Sequence, residues 1–156
     1  MLWRLASPAA YPGKKGFLSA HLSAKIRRMK YLVLLGRVLY SWIFITSVPE
    51  DFKASIIGLA AKQGVPFAHV AVPLAGITAL LGSLSVILGY RAKWGAWLLV
   101  LFLVLVTPAM HNFWAIKDPM MAMIQRVSFM KNVSMLGAAL IIAYFGSGPL
   151  SLDRRP

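Results

Sequence analysis

No cysteine occurs anywhere in the 156 residues. That absence removes disulfides, thiol redox chemistry, cysteine nucleophiles and iron–sulfur ligation from the chain itself. Any CxxC-type oxidoreductase chemistry would have to live on a partner. Acids are nearly as scarce: four Asp and Glu stand against 17 Lys and Arg, for a net charge of +13. Glu50 and Asp51 are adjacent, so on a helix they point apart and make a poor acid–base pair. The histidines His21, His69 and His111 stand far apart, with no HxxxH or HExxH spacing, which argues against a metal site. His111 is the one plausible axial ligand for haem, and it stands alone and interfacial. There is no Walker loop and no GxGxxG, so no cofactor is evident.

What the chain does have is apolar length. Hydrophobic residues make up 59% of it, the mean hydropathy is +0.71, and the excess sits in long runs. Spans are predicted at about 31–48, 67–90, 94–114 and 127–146. Each run can cross roughly 30 Å of hydrocarbon at about 1.5 Å per residue. None shows the alternation of a β-barrel, and backbone in lipid must satisfy itself internally. The fold class is therefore an all-α membrane protein, a four-transmembrane-helix bundle occupying residues 31–146. A basic tail, 1–30, precedes it and a short tail, 147–156, follows.

The basic excess is best explained by orientation. The 1–30 tail, the turn at Arg91 and Lys93, and the end at Arg154 and Arg155 carry eleven Lys and Arg; Lys53, Lys62, Lys117 and Arg126 make four on the other side. Positive loops stay cytoplasmic, which predicts an N-in/C-in bundle in the bacterial inner membrane. No room is left for a folded basic module, so nucleic acid is not a partner; the lipid bilayer is. The tail lacks a contiguous apolar segment and a cleavage site, so it is a poor signal peptide. Residues 17–30 are predicted to form a basic amphipathic helix on anionic lipid. A mitochondrial presequence would look similar. Translation from Met29, directly before the first span, is the duller alternative.

Small residues predict the packing seams: Thr78, Gly82, Ser85 and Gly89 in the second span, Ser134 and Ala138 beside Gly137 in the fourth.

The polar chemistry gathers in the hairpin from Thr107 to Gly146. His111, Asn112 and Trp114 end the third span, Asp118 sits in the turn, and Gln125, Ser128, Lys131 and Asn132 open the fourth. Gln125, Ser128 and Asn132 share a helix face. Lys131 and His111 should meet near the outer face, with Asn132 beside them. Asp118, the turn's only acid, is the expected partner of Lys131. Such a group can hold an anion or a quinone carbonyl; a polar cap with Trp114 as interfacial anchor is the plainer reading. Arg37, about 9 Å into the first span, either faces the bundle, a partner or an anionic ligand, or snorkels to the near interface.

Several stretches carry a resemblance. They are Leu35-Gly36-Arg37, Gly64-Val65-Pro66, Leu88-Gly89, His111-Asn112-Phe113-Trp114, the FxKN…LG run from Phe129 to Gly137, and Gly148-Pro149-Leu150-Ser151-Leu152-Asp153. Over about residues 33–153 the chain resembles the DoxX family of bacterial membrane proteins. That resemblance implies a four-helix inner-membrane bundle, with a membrane redox or sulfur-handling protein as partner. Family members often carry a glutamate near where Ala79 stands here. The resulting reading is a small membrane subunit or anchor for such a partner. A quinone- or anion-binding subunit using Arg37, His111 and Lys131 is the alternative, and a small permease or membrane stress protein the second. The sequence alone does not decide whether the chain is catalytic.

Overall fold

A computed structural model describes the backbone of residues 13–153 and the side chains of residues 29–153. Among these residues there are helices and turns only. Helix α1 spans Gly13–Asp51, α2 Ala54–Lys62, α3 Ala68–Leu88, α4 Ala92–Met110 and α5 Pro119–Phe145, with a 3-10 turn at Phe113–Ala115 before α5. Four segments are long and apolar enough to cross a membrane: Met29–Asp51, Ala68–Leu88, Ala92–Ala115 and Pro119–Phe145.

Three boundaries differ from the sequence reading. The expected surface helix at 17–30 and the first span are one continuous helix, which also runs through Pro49 to Asp51; the side chains that would make its first part amphipathic lie outside the described residues. The 49–66 stretch is not a plain loop, because α2 forms there and buries Ala60. And α5 starts at Pro119, not near 127. Asp118 caps it, its Oδ1 accepting a hydrogen bond from the Met121 N–H at 2.7 Å. Proline at the first position and the following Met120, Met121 and Met123 then favour helix.

Helix α3 packs between α1 and α4, and α4 between α3 and α5. The interior is built from small residues and a few large ones: Ala79, Val86, Ala96, Leu99, Leu103, Ala139 and Ala143 with Phe44. The outer surface carries the bulky apolar side chains, among them Trp42, Leu74, Trp97, Leu105 and Ile141. Lipid solvates those, so close backbone approach decides helix contact instead. At the α3–α4 crossing, a methyl on Gly82 would lie 2.8 Å from the Gly95 carbonyl oxygen. The seam expected on the last span is different. Ser134 and Gly137 are exposed, and nothing lies within 4 Å of where a Gly137 side chain would start. The buried face of α5 runs instead through Asn132, Ala139 and Ala143, at helical spacing.

Helices α1 and α5 meet much less closely than the other neighbours. Tyr40 bridges them, its hydroxyl donating to the Met135 carbonyl at 3.2 Å. Tyr40 stacks edge-on against Phe44 at 5.4 Å, and Phe44 against Phe102 of α4 at 6.0 Å. Beyond this aromatic bridge the gap between α1 and α5 stays open.

Candidate functional site

The gap is a cavity of about 210 Å³ at the end of the bundle where α4 turns into α5. Its apolar wall comes from Ile43, Phe44, Phe102, Leu103 and Met135, and its polar groups are Ser47, Asp51, His111, Lys131 and Asn132. Ser47 and Asp51 follow Phe44 at near-helical intervals, so one face of α1 supplies all three. His111 is fixed from outside: its Nδ1 lies 2.7 Å from Gln125 Oε1. A neutral ring that donates from Nδ1 keeps Nε2 as an acceptor. Asn132 is buried on the inward face of α5, whereas Lys131, one residue earlier, is exposed.

The hairpin residues thus divide. His111, Lys131 and Asn132 line one cavity, and Gln125 reaches it through His111. Asn112 sits half-buried at the head of the 3-10 turn and makes no capping bond. Trp114 is exposed and packs edge-on with Phe113 and Phe129, at 5.2 and 5.9 Å, as an interfacial aromatic cluster does. Asp118 is not the partner of Lys131. Its carboxylate is the α5 cap, and Lys131 lies about 20 Å further along the helix at 1.5 Å per residue. Among the described residues the one salt bridge joins Lys53 and Glu50 at 2.6 Å.

Arg37 belongs to the opposite end. It is 4% exposed, and it neither snorkels nor reaches the hairpin. Its guanidinium donates from Nη1 to the Ser147 carbonyl at 3.0 Å and from Nη2 to the Leu150 carbonyl. These carbonyls belong to residues 146–153, which fold back as a strap against the middle of α1 and over the ends of α3 and α4. The Leu152 and Asp153 N–H groups donate to the Leu88 and Gly89 carbonyls at 3.1 and 2.9 Å. Asp153 Oδ1 accepts from the Arg91 N–H at 2.8 Å, at the start of α4. Gly89 sits beneath with φ +65, where a methyl would meet Ser151 and lie 2.6 Å from Arg37 Nη1. Arg37 is therefore the internal clamp of the strap, and Arg37, His111 and Lys131 do not form one site.

The sequence reading takes in neither Ser47 nor Tyr40, and it sets Asp51 only against Glu50, its chain neighbour, although its neighbours across the bundle matter more. Its signal was available: it is one of only four acids, and it stands in register with Phe44 and Ser47 on α1.

The pattern that defines the SURF4 family matches residues 9–155. The chain belongs to the SURF4 family. The DoxX resemblance is thereby corrected, and the redox or sulfur-handling partner it implied loses its support. The SURF4 match also takes in residues 9–30, which lay outside the earlier resemblance. The chain is 28% identical over 127 residues to the inner membrane protein YphA of Escherichia coli, covering 80% of this chain and 89% of that protein. It is 27% identical over 128 residues to the Surfeit locus protein 4 homolog of Schizosaccharomyces pombe, covering 80% of this chain and only 37% of that protein. No solved structure matches. Four apolar helices and this kinship make the SURF4-family chain a multi-pass protein of the inner membrane.

Proposed function

We propose that this protein binds a small amphipathic molecule in the cavity between α1, α4 and α5, its polar head accepting hydrogen bonds from Lys131 and Asn132. The carrying observation is the concentration of those donors, with His111, over an apolar wall in one cavity of a nearly acid-free bundle. Its volume of about 210 Å³ exceeds the roughly 150 Å³ cavity that accepts a benzene molecule, so a ring-sized head fits. A quinone is the ligand of this class to test, since each carbonyl accepts from an ammonium or an amide. Charge-assisted bonds of this kind are the strong ones. The eleven-to-four basic count supports a cytoplasmic placement of both tails, and with it an outer-face position for this site.

The test is equilibrium binding of decyl-ubiquinone to the purified protein in detergent, corrected for partition into empty micelles. Saturable one-to-one binding is expected. Lys131→Met should weaken it about tenfold, the loss of roughly 1.4 kcal/mol of donor interaction. Partition no greater than into empty micelles, or equal binding by the variant, would remove the reading.

A further inference from the structure

A second cavity, of about 180 Å³, opens on the other side of α4, beneath α2. It shares Asp51, Phe102, Val106 and Met110 with the first, so these four residues form the partition between the two. The second cavity has a different chemistry. Ile56 of α2, Val72 and Ala75 of α3, and Phe102 and Val106 of α4 typify its lining, and Asp51 is its one ionisable side chain. The Asp51 Oδ2 is buried and accepts no hydrogen bond from any described residue.

The fold makes room for this carboxylate. A methyl on Gly76 of α3 would lie 2.9 Å from both Cβ and Oδ2 of Asp51, so only glycine lets α3 and the end of α1 approach with the acid between them. A carboxylate facing an apolar cavity without a donor is costly, and the cost is relieved by a cation with hydrogens to give. The described residues do not supply one. Lys53 is exposed and held by Glu50 at 2.6 Å, and among the described residues no lysine or arginine pairs with Asp51. A metal ion is a poor candidate, because no group of three His, Cys, Asp or Glu gathers among the described residues.

We propose that the cavity beneath α2 is a binding site for a lipophilic amine, whose alkyl body fills the apolar space and whose ammonium donates to Asp51. Asp51 is the last residue of α1, at the membrane end of the bundle. An amphiphilic amine in a bilayer carries its ammonium at that same depth, with its chain in hydrocarbon. The site shares Asp51 with the Lys131 cavity through the partition, but its lining includes neither Lys131 nor Asn132.

Calorimetric titration of the purified protein in nonionic detergent at neutral pH tests this with octylamine, which is then an ammonium, and with 1-octanol, its uncharged match. Octylamine should bind saturably and about tenfold tighter than octanol. Asp51→Asn should bring octylamine down to the octanol level and leave octanol unchanged. Ala75→Leu, which fills the cavity from α3, should weaken both. Lys131→Met, the variant that weakens quinone binding under the preceding reading, should leave octylamine untouched, so the two ideas fail separately. Equal affinities for octylamine and octanol in the unaltered protein would overturn the proposal, whether or not the Asp51 variant folds. So would undiminished octylamine binding in Asp51→Asn.

Discussion

At the scale of single residues, Arg37 and the half-buried Asp51 of α1 behave differently. Arg37 gives its hydrogens to two carbonyls of its own chain, whereas the buried oxygen of Asp51 has no described donor. The first is a structural group, the second an available one. Arg37→Met keeps the apolar stem but leaves the Ser147 and Leu150 carbonyls unpaired. Hydrogen bonds to a charged group are worth about 1.5–3 kcal/mol each, so the variant should lose roughly 3 kcal/mol of stability. Unfolding of both proteins in mixed micelles, followed by circular dichroism, measures the difference. An unchanged midpoint would mean that those carbonyls find other donors and that the clamp contributes nothing.

At the scale of elements, the strap of residues 146–153 does the work of a cap. It supplies an acceptor to the α4 N-terminus through Asp153 and donors to the last carbonyls of α3 through Leu152 and Asp153. Its seating depends on Gly89, whose φ of +65 and absent side chain let Ser151 and Arg37 come in directly above it. Gly89→Ala adds backbone strain and a clash together, which should cost about 1–3 kcal/mol. The loss should be local first: amide hydrogen exchange at Leu152 and Asp153 is expected to speed up well before that of the α4 core. Unaltered protection at those two amides would show that the strap is not seated on Gly89.

For the whole molecule, four spans put both tails on one side, and the basic count predicts that this side is cytoplasmic. The absence of cysteine makes a direct measurement clean, since any thiol introduced is the only one. Lys117→Cys, in the turn before α5, should react with a membrane-impermeant maleimide in spheroplasts. Lys93→Cys, at the start of α4, should react only after the membrane is opened. The reverse pattern would invert the bundle and move both cavities to the cytoplasmic face. The open side of the molecule, between α1 and α5, is also where the cavity with Lys131 lies. A bundle packed tightly on every side would have no such space.

Composition and run length alone determined that the protein is a four-helix membrane bundle. Lipid imposes a length and a hydropathy on each crossing helix, and both are local properties of the chain. Local chemistry also made His111, Lys131 and Asn132 legible as a group, because a short hairpin brings the ends of consecutive helices together. The pairing of α1 with its distant neighbours was not legible. Arg37 meets residues 110 and 113 positions away, and the surroundings of Asp51 come from α2, α3 and α4 at once. In lipid the hydrophobic pattern does not say which face of a helix turns inward, because tails and core are equally apolar. Only the assembled backbone, with its close approaches at Gly76, Gly82 and Gly89, decided which polar side chains share a cavity and which are used up holding the fold.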